Sequence, residues 1–227
     1  MANQEIQNLL KGVSIFSHVD DDGMEKLGEL IVSKDYPKDT LVFGQEESGD
    51  ALFVIAKGRV KVVLYGESGK EITLSFFKQG DFFGEMSLLD DMPRSANVVT
   101  TENSTLLILK RDAFKRHLQE NPTTAINILA ELSMRLRTAD SIIGNLTLLD
   151  VYGRVAHFLM DLAKKEGEEV EEGIQISKRP TQQDIASMVN TSRETVSRAL
   201  NEFQKRGLLR MDGKKVILRP QFYKEAG

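Results

Sequence analysis

The sequence contains no cysteine among its 227 residues. This absence excludes a disulfide framework, a thiolate nucleophile, a cysteine-ligated zinc site and a cysteine-ligated iron–sulfur cluster. Long apolar runs are also missing, since no stretch reaches the roughly 18 residues needed to span a bilayer. The amino-terminal segment MANQEIQNLLKG lacks the basic start and the apolar core of a signal peptide. We therefore expect a cytoplasmic protein with no membrane partner.

Familiar catalytic and metal-binding motifs are missing as well. Neither H-E-x-x-H nor G-x-S-x-G occurs, and the three histidines are scattered along the chain. The segment from His18 to Glu29 is close to a calcium loop, but His18 occupies the first ligand position. Acidic residues in the first turn of a helix explain this segment better. We expect no enzymatic activity and no bound metal.

Charge is distributed unevenly along the chain. The whole chain has 30 Lys and Arg against 34 Asp and Glu, a net charge of −4. Residues 174–227 hold 11 basic and 5 acidic residues, a net charge of +6, so the remainder carries −10. An acidic body joined to a basic module predicts two parts with different partners, the basic part being suited to nucleic acid. The polar run KKEGEEVEEG at residues 164–173 predicts a loop near their boundary.

Short β-rich runs occupy residues 40–110 and are separated by breaks that contain glycine. The runs are TLVF, ALFVIAK, RVKVVLY, EITLSFF, SANVVTT and STLLILK. Several short strands at this spacing predict a small sandwich or barrel.

A long helix is predicted over residues 123–149, because Pro122 suits the first turn of a helix. Apolar residues recur along it at spacings of three and four, which is typical of a coiled-coil seam. These residues are Leu129, Leu132, Leu136, Ala139, Ile143 and Leu146. The stripe either packs against its own domain or forms the seam of a two-fold homodimer. We prefer the dimer, because this helix joins the acidic and basic modules.

The basic module contains two short helices around a tight turn, TQQDIASMVN and SRETVSRALNEFQK. Thr181 and Ser192 suit the N-caps of these helices, and Asn190 tolerates the left-handed conformation that the turn requires. This arrangement is typical of a helix-turn-helix, whose second helix enters the major groove of DNA.

Side chains that can read base edges occupy the early turns of the second helix. Arg193, Glu194, Ser197 and Arg198 can hydrogen-bond to guanine or cytosine, although Glu194 and Arg198 could also form only a surface ion pair. The following run LLRMDGKKVILRP predicts a hairpin. Its basic residues Arg210, Lys214, Lys215 and Arg219 suit contacts with DNA phosphates.

A polar insertion, FFGEMSLLDDMPRSANVVT, interrupts the β pattern. Gly84 allows close backbone approach, Glu85 can accept hydrogen bonds from hydroxyl groups, and the Arg94–Ser95 pair can bind a phosphate. A ligand with a ribose hydroxyl and one phosphate would satisfy both ends. The alternative is equally open: Arg94 pairs with Asp90 or Asp91 on a surface turn, and Glu85 is solvated.

Several of these segments resemble one family of proteins. G-E-M-S-L followed by P-R-S-A resembles the phosphate-binding cassette of cyclic-nucleotide-binding domains. T-Q-Q-D-I-A and S-R-E-T-V-S-R-A-L resemble the recognition motif of the cyclic-AMP receptor protein (catabolite activator) / fumarate and nitrate reduction regulator family of bacterial transcription factors. GNLTLLDVYGRVAHFL resembles the hinge of the same family, so the resemblance covers essentially the whole chain in one order.

The resemblance implies an α+β fold in three parts. Residues 1–121 are expected to form a cyclic-nucleotide-binding β-roll (a double-stranded β-helix), residues 122–150 a dimerisation helix and hinge, and residues 151–227 a winged helix-turn-helix. It also implies a homodimer that binds double-stranded DNA at a TGTGA-like inverted repeat, with RNA polymerase as a further partner.

The resemblance also assigns residues to the two sites. The cyclic nucleotide, with cyclic AMP preferred as the effector, is expected to contact Gly84, Glu85, Met86, Arg94, Ser95, Arg135, Leu136 and Asp140. DNA is expected to contact Thr181, Gln183, Ser192, Arg193, Glu194 and Arg198.

This sequence departs from the family pattern at three places. Ala139 and Asp140 replace a Thr-Ser pair that binds the adenine amino group, and Asp140 could accept hydrogen bonds from either adenine or guanine. Gln182 replaces a DNA-contacting arginine, and the acidic run at residues 164–173 is shorter than the polymerase-activating loop of the family. Cyclic GMP, a cyclic dinucleotide or haem therefore stay open as effectors, and a regulatory module acting on a protein partner stays open as the function.

Overall fold

The computed structural model describes residues 3–225 and combines helices with antiparallel sheets, which confirms the α+β class. The chain divides into two compact units, Met1–Arg135 and Leu136–Gly227. The division falls inside the long helix. The three-part division at residues 121 and 150 stays a prediction.

The first unit begins with α1 (Asn3–Lys11), a single 3-10 turn (Ser14–Phe16) and α2 (Asp21–Glu29). Ile6 and Leu10 on α1 are buried in the core of this unit. The Asp20 side chain caps α2 by accepting a hydrogen bond from the Gly23 amide at 2.8 Å. The acidic cluster is therefore the start of a helix, as the sequence indicated.

The β-rich region forms two four-stranded antiparallel sheets. The elements are β1 (Ile31–Tyr36), β2 (Leu41–Phe43), β3 (Ala51–Lys57), β4 (Arg59–Tyr65), β5 (Glu71–Lys78), β6 (Phe82–Phe83), α3 (Met86–Leu89), β7 (Asn97–Thr100) and β8 (Ser104–Lys110). One sheet has the order β1-β8-β3-β6 and the other β2-β7-β4-β5. All six predicted β-rich runs are strands.

Strand β3 is buried on both faces, which explains its unbroken apolar sequence. Phe53 and Ile55 face the second sheet and pack with Val60 and Val98. Leu52 and Val54 face the opposite way, into a core shared with the helices. Alternation of side chains along the strand therefore fills two cores at once.

The helices α4 (Arg111–Glu120) and α5 (Pro122–Leu148) follow β8. Phe114 of α4 and Ile128 of α5 are buried in the helix-side core. The 27 residues of α5 span about 40 Å at 1.5 Å per residue, so this helix extends well beyond that core.

The second unit consists of α6 (Val151–Glu166), β9 (Gly167–Val170), β10 (Gly173–Ile176), α7 (Gln182–Met188), α8 (Arg193–Lys205), β11 (Leu209–Asp212), β12 (Lys215–Leu218) and α9 (Pro220–Glu225). Its sheet has the order β11-β12-β10-β9. The predicted loop at residues 164–173 is wrong: α6 continues to Glu166, and β9 and β10 form a hairpin. Pairing of β10 with β12 stabilises this hairpin. The polar sequence of residues 164–173 does not reveal a contact with so distant a strand.

The two predicted short helices and their turn are confirmed. Thr181 and Asp184 form a capping box at the start of α7, and Ser192 caps α8 by accepting from the Thr195 amide at 3.2 Å. Asn190 has a φ of 52°, the left-handed conformation expected of the turn. The hairpin β11–β12 turns at Gly213, whose φ is 56°.

Candidate functional site

The polar insertion between β6 and β7 is organised around Gly84. This residue has a φ of +85°, and a Cβ atom there would lie 2.7 Å from Nη1 of Arg94 and 3.1 Å from the Ala51 carbonyl oxygen. Nη1 of Arg94 donates a hydrogen bond to the Gly84 carbonyl at 2.7 Å. Only glycine combines this backbone conformation with so close an approach.

Glu85 directly follows and is almost completely buried, with 2% of its surface exposed. Of the two alternatives for Glu85, the solvated carboxylate is therefore wrong. Its Oε1 accepts a hydrogen bond from Nη1 of Arg135 at 3.1 Å, while its buried Oε2 has no partner among the described residues. Burial raises the pKa of Glu85, and the positive charge of Arg135 opposes this rise.

Arg94 is buried as well, at 3% exposure, so its pairing with Asp90 or Asp91 on a surface turn is also wrong. Its Nη2 donates to the Ala51 carbonyl at 2.9 Å, and its guanidinium lies 4.2 Å from the ring centre of Phe43. Its buried Nε has no hydrogen-bond partner within residues 3–225. Burial lowers the pKa of Arg94 from its ordinary high value, and Asp50 opposes this shift.

Arg135 connects α5 to the insertion. Its Nη2 donates to the Phe82 carbonyl at 2.8 Å, in addition to the contact of Nη1 with Glu85. The guanidinium lies 4.6 Å from the ring centres of both Phe77 and Phe82. The sequence interpretation missed Phe43 and Phe77, because neither belongs to a polar motif.

The other residues assigned to the nucleotide site are exposed. Ser95 donates from Oγ to the sulfur of Met86 at 3.6 Å, and both side chains are accessible. Leu136 and Asp140 lie further along α5, in the second unit, and are also exposed. The structure thus brings Gly84, Glu85, Arg94 and Arg135 together in one polar cluster, with the charged side chains of Glu85 and Arg94 at its buried centre.

The residues assigned to DNA lie at the starts of α7 and α8. Thr181, Gln183, Ser192, Arg193, Glu194 and Arg198 are all exposed. Thr181 and Ser192 also serve as N-caps. Hydrogen bonds from its own backbone amide and from Ser192 lower the pKa of Glu194, and Arg198 donates to Thr195 Oγ1 at 3.1 Å.

Two of the four basic residues expected to contact phosphates are paired within the unit. Arg210 and Arg219 lie 3.1 Å and 3.6 Å from the carboxylate of Glu172, and Arg219 also donates to the Gly207 carbonyl. Lys214 and Lys215 are exposed at the tip of the β11–β12 hairpin. Glu172 in the turn of the β9–β10 hairpin therefore offsets part of the positive charge of the β11–β12 hairpin.

The apolar stripe of α5 is largely uncovered within one chain. Leu129, Leu136 and Ile143 are 63%, 64% and 60% exposed. Ala139 and Leu146 are exposed too, whereas Leu132 is half-buried against the core of the first unit. Packing against its own domain thus accounts for only one position of the stripe.

Two further features are absent from residues 3–225. This part of the chain contains no helix with the length and apolar character required to cross a membrane. It also contains no group of three or more His, Cys, Asp or Glu side chains arranged to hold a metal ion.

Comparison with known proteins agrees with this geometry. The family model of the cyclic nucleotide-binding domain matches residues 33–121, and that of the Crp-like helix-turn-helix domain matches residues 153–221. The CRP-like cAMP-activated global transcriptional regulator of Mycobacterium tuberculosis is 32% identical, over 94% of this chain and 95% of the relative. The cAMP-activated global transcriptional regulator CRP of Escherichia coli is 35% identical, over 81% of this chain and 87% of the relative.

Among solved structures, the c-di-GMP responsive global regulator CLP of Xanthomonas campestris is similar, with 28% identity and a TM-score of 0.74. The match covers 88% of this chain and 99% of that one. A cyclic-nucleotide-binding domain followed by a helix-turn-helix defines a ligand-binding transcription regulator. The chain belongs to the CRP/FNR family of transcription regulators, which confirms the resemblance.

Proposed function

We propose that this regulator is a homodimer whose affinity for DNA is controlled by a cyclic nucleotide, with cyclic AMP as the preferred effector, and that it has no enzymatic activity. The nucleotide would be held by Gly84, Glu85, Met86, Arg94, Ser95, Arg135, Leu136 and Asp140. DNA would be read by Thr181, Gln183, Ser192, Arg193, Glu194 and Arg198 at a TGTGA-like inverted repeat.

One observation carries the ligand assignment: two buried, oppositely charged side chains each keep a polar atom without a partner among the described residues. These atoms are Oε2 of Glu85, an acceptor, and Nε of Arg94, a donor. A buried polar atom without a hydrogen bond is costly, so such atoms mark a place where another group binds. A ribose hydroxyl suits the first atom, and a cyclic phosphate suits the second.

The ranking of effectors rests on the relatives and on one substitution. The two curated relatives described above are cAMP-activated, which favours cyclic AMP. Asp140 and the similarity to a c-di-GMP responsive regulator favour a guanine nucleotide as the second candidate. A carboxylate can accept hydrogen bonds from both N1 and N2 of guanine, which a hydroxyl side chain cannot do equally well.

Control of DNA binding would follow from a shift between two states of the dimer. A nucleotide that binds one state more tightly increases the population of that state. Reading an inverted repeat requires the two recognition helices to lie about 34 Å apart, one turn of DNA. RNA polymerase is a proposed partner of the DNA-bound dimer.

Calorimetry with cyclic AMP, cyclic GMP and cyclic di-GMP tests the effector. We expect binding of at least one nucleotide, together with a changed affinity for an inverted TGTGA repeat measured by fluorescence anisotropy at fixed salt. Arg94→Leu should abolish both effects, while Arg116→Leu, which alters an exposed arginine of α4, should preserve them.

If the parent gives no heat and no competition with any of the three nucleotides, the effector proposal is wrong. If a nucleotide binds but the repeat is bound no more tightly than unrelated DNA, the chain is better described as a module that acts on a protein partner.

A further inference from the structure

Arg111 is a charged residue that the sequence motifs did not indicate. It is the first residue of α4 and directly follows β8. Its Nη2 donates to the carbonyl oxygens of Gly49 at 2.5 Å and Ser87 at 2.9 Å, and its Nη1 pairs with the Asp91 carboxylate. One guanidinium therefore joins three separate points around the polar cluster.

Two of these points belong to one short segment, one inside α3 and the other just after its end. Ser87 belongs to α3, and Asp91 follows the end of α3 at Leu89. Glu85 directly precedes this helix, and Arg94 lies three residues after Asp91. A side chain that binds both Ser87 within α3 and Asp91 after it therefore restrains the segment between Glu85 and Arg94.

The third point, Gly49, lies in close contact with this segment. A Cβ atom at Gly49 would lie 2.4 Å from Cβ of Ser87 and 3.0 Å from Cζ of Arg94. The backbone of Gly49 thus lies close to both Ser87 of α3 and the Arg94 guanidinium. By binding the carbonyl oxygens of both Gly49 and Ser87, Arg111 sets the distance between these two segments.

Asp91 has a left-handed backbone conformation, and its carboxylate is bound by two cations. Its φ is +57°, a left-handed conformation that residues other than glycine adopt rarely. The carboxylate is held by Arg111 and also by Lys115, whose Nζ lies 3.0 Å away. Hydrogen bonding to Lys115 is the main cause of the lowered pKa of Asp91. Arg111 and Lys115 of α4 therefore anchor the residue that follows the end of α3.

We propose that Arg111 is a positioning residue that holds residues 84–95 in the conformation that binds the cyclic nucleotide. This inference rests on the proposed function, because it deepens the account of the same site. The geometry requires arginine: a planar guanidinium can bind two carbonyls and a carboxylate in a fixed arrangement, whereas a lysine ammonium is a single point of charge. Misplacement of a binding group by about 1 Å can cost roughly 100-fold in function.

The first test compares nucleotide affinities by calorimetry for the parent, Arg111→Leu, Arg111→Lys and Arg116→Leu, using cyclic AMP, cyclic GMP and cyclic di-GMP as probes. We expect Arg111→Leu to weaken binding by roughly 10-fold to 100-fold. Arg111→Lys should recover part of this loss, and Arg116→Leu should equal the parent. Asp91→Asn, which keeps the size of the side chain, should weaken binding in the same direction and decides the matter if Arg111→Leu does not fold.

The second test measures amide hydrogen exchange without nucleotide. In Arg111→Leu, amides of residues 85–91 should exchange at least about tenfold faster than in the parent, while those of β3 keep their protection. Equal exchange in this segment, or an affinity of Arg111→Leu and Asp91→Asn equal to that of the parent, would overturn the proposal. If the parent binds none of the three nucleotides, the proposed effector is wrong, and the exchange measurement alone decides whether Arg111 restrains this segment.

Discussion

Gly84 combines two constraints that can be tested separately at the scale of a single residue. Its φ of +85° disfavours any side chain, and a Cβ atom would meet Arg94 and the Ala51 carbonyl. Gly69, in the turn between β4 and β5, has a similar φ of +76°, but a Cβ atom there would meet nothing within 4 Å. The two glycines thus share the backbone constraint and differ in the steric one.

We expect Gly69→Ala to reduce the free energy of unfolding by about 1 kcal/mol and to leave nucleotide binding unchanged. Gly84→Ala should cost more stability and should also weaken nucleotide binding by about tenfold or more, because Arg94 must move. Thermal denaturation and calorimetry on both variants measure these effects. Equal nucleotide affinities for the two variants would show that Gly84 matters only through its backbone conformation.

His117 predicts a pH dependence of stability. It is buried between α4 and α5, where Nε2 lies 3.1 Å from Thr124 Oγ1 and the ring packs edge-on against Phe16. Burial lowers its pKa from the ordinary value of 6.5, with a smaller opposing effect from Glu120. Below that value the unfolded chain binds more protons at His117 than the folded chain does, so this residue lowers stability as the pH falls.

The measurement is urea unfolding of the parent and of His117→Gln between pH 7.5 and roughly pH 5. The parent should lose stability over this range more steeply than the variant, while His18→Gln, a change at an exposed histidine, should follow the parent. The raised pKa of Glu85 acts in the opposite direction, so the difference between parent and variant is the quantity to compare. Identical slopes would contradict a neutral, buried His117.

For single residues, the sequence predicts which side chains belong to the site better than it predicts their burial and their contacts. Glu85 and Arg94 could be selected because a carboxylate and a guanidinium flank a short polar insertion. Their burial could not be predicted, and neither could the contact between Glu85 and Arg135, residues that are 50 positions apart. The role of Arg111 could not be predicted for the same reason. Its partners Gly49, Ser87 and Asp91 are distant in sequence and come close to it only in the folded chain.

At the scale of the element, patterns that depend on local sequence were reliable. The capping box at α7, the turn at Asn190 and the hairpin at Gly213 each use a residue whose side chain or backbone preference specifies the local conformation. Strand β1 and the β9–β10 hairpin were missed, because their polar residues conceal the alternation and pairing with distant strands stabilises them.

The proposed recognition helix, α8, yields a prediction at this scale. Arg193 is exposed in its first turn, and Lys205 is exposed at its last residue. A helix that enters the major groove by its amino-terminal part presents Arg193 to base edges, and an arginine pair with guanine contributes about 1 to 3 kcal/mol of discrimination. We expect Arg193→Ala to lower affinity for the TGTGA repeat by roughly 10-fold to 100-fold and to relax its specificity.

Lys205→Ala provides the matched control, since it removes one positive charge from the same helix. Anisotropy measurements at one salt concentration should show only a small, sequence-independent loss for this variant. If both variants lose the same affinity for specific and unrelated DNA, then α8 contributes charge alone, and its assignment as the recognition helix is wrong.

At the scale of the whole molecule, regional charge separates the two functions of the chain. The net charge of −4 conceals a carboxy-terminal segment of +6, and this segment contains the helix-turn-helix. Part of that positive charge is offset inside the unit by Glu172, which pairs with Arg210 and Arg219. Regional counting therefore indicates the DNA-binding module, but the positive surface available to phosphates is smaller than the count suggests.

The exposed stripe of α5 leads to the last prediction, which concerns assembly. Leu129 and Ile143 are separated by two heptads on the same side of the helix, and both are more than half exposed. Met134 is also exposed but lies on the opposite side, at about 100° per residue. Large apolar side chains aligned on one helix face would be buried by the same face of a second copy.

We therefore expect the double variant Leu129→Lys/Ile143→Lys to sediment as a monomer at micromolar concentration, where the parent and Met134→Lys sediment as dimers. The folded monomer should still bind a single TGTGA half-site with the weak affinity of one recognition helix. It should lose most of the additional affinity that the parent gains on the full inverted repeat, because that gain requires two linked recognition helices. A double variant that remains dimeric would place the dimer interface elsewhere and leave the α5 stripe without this role.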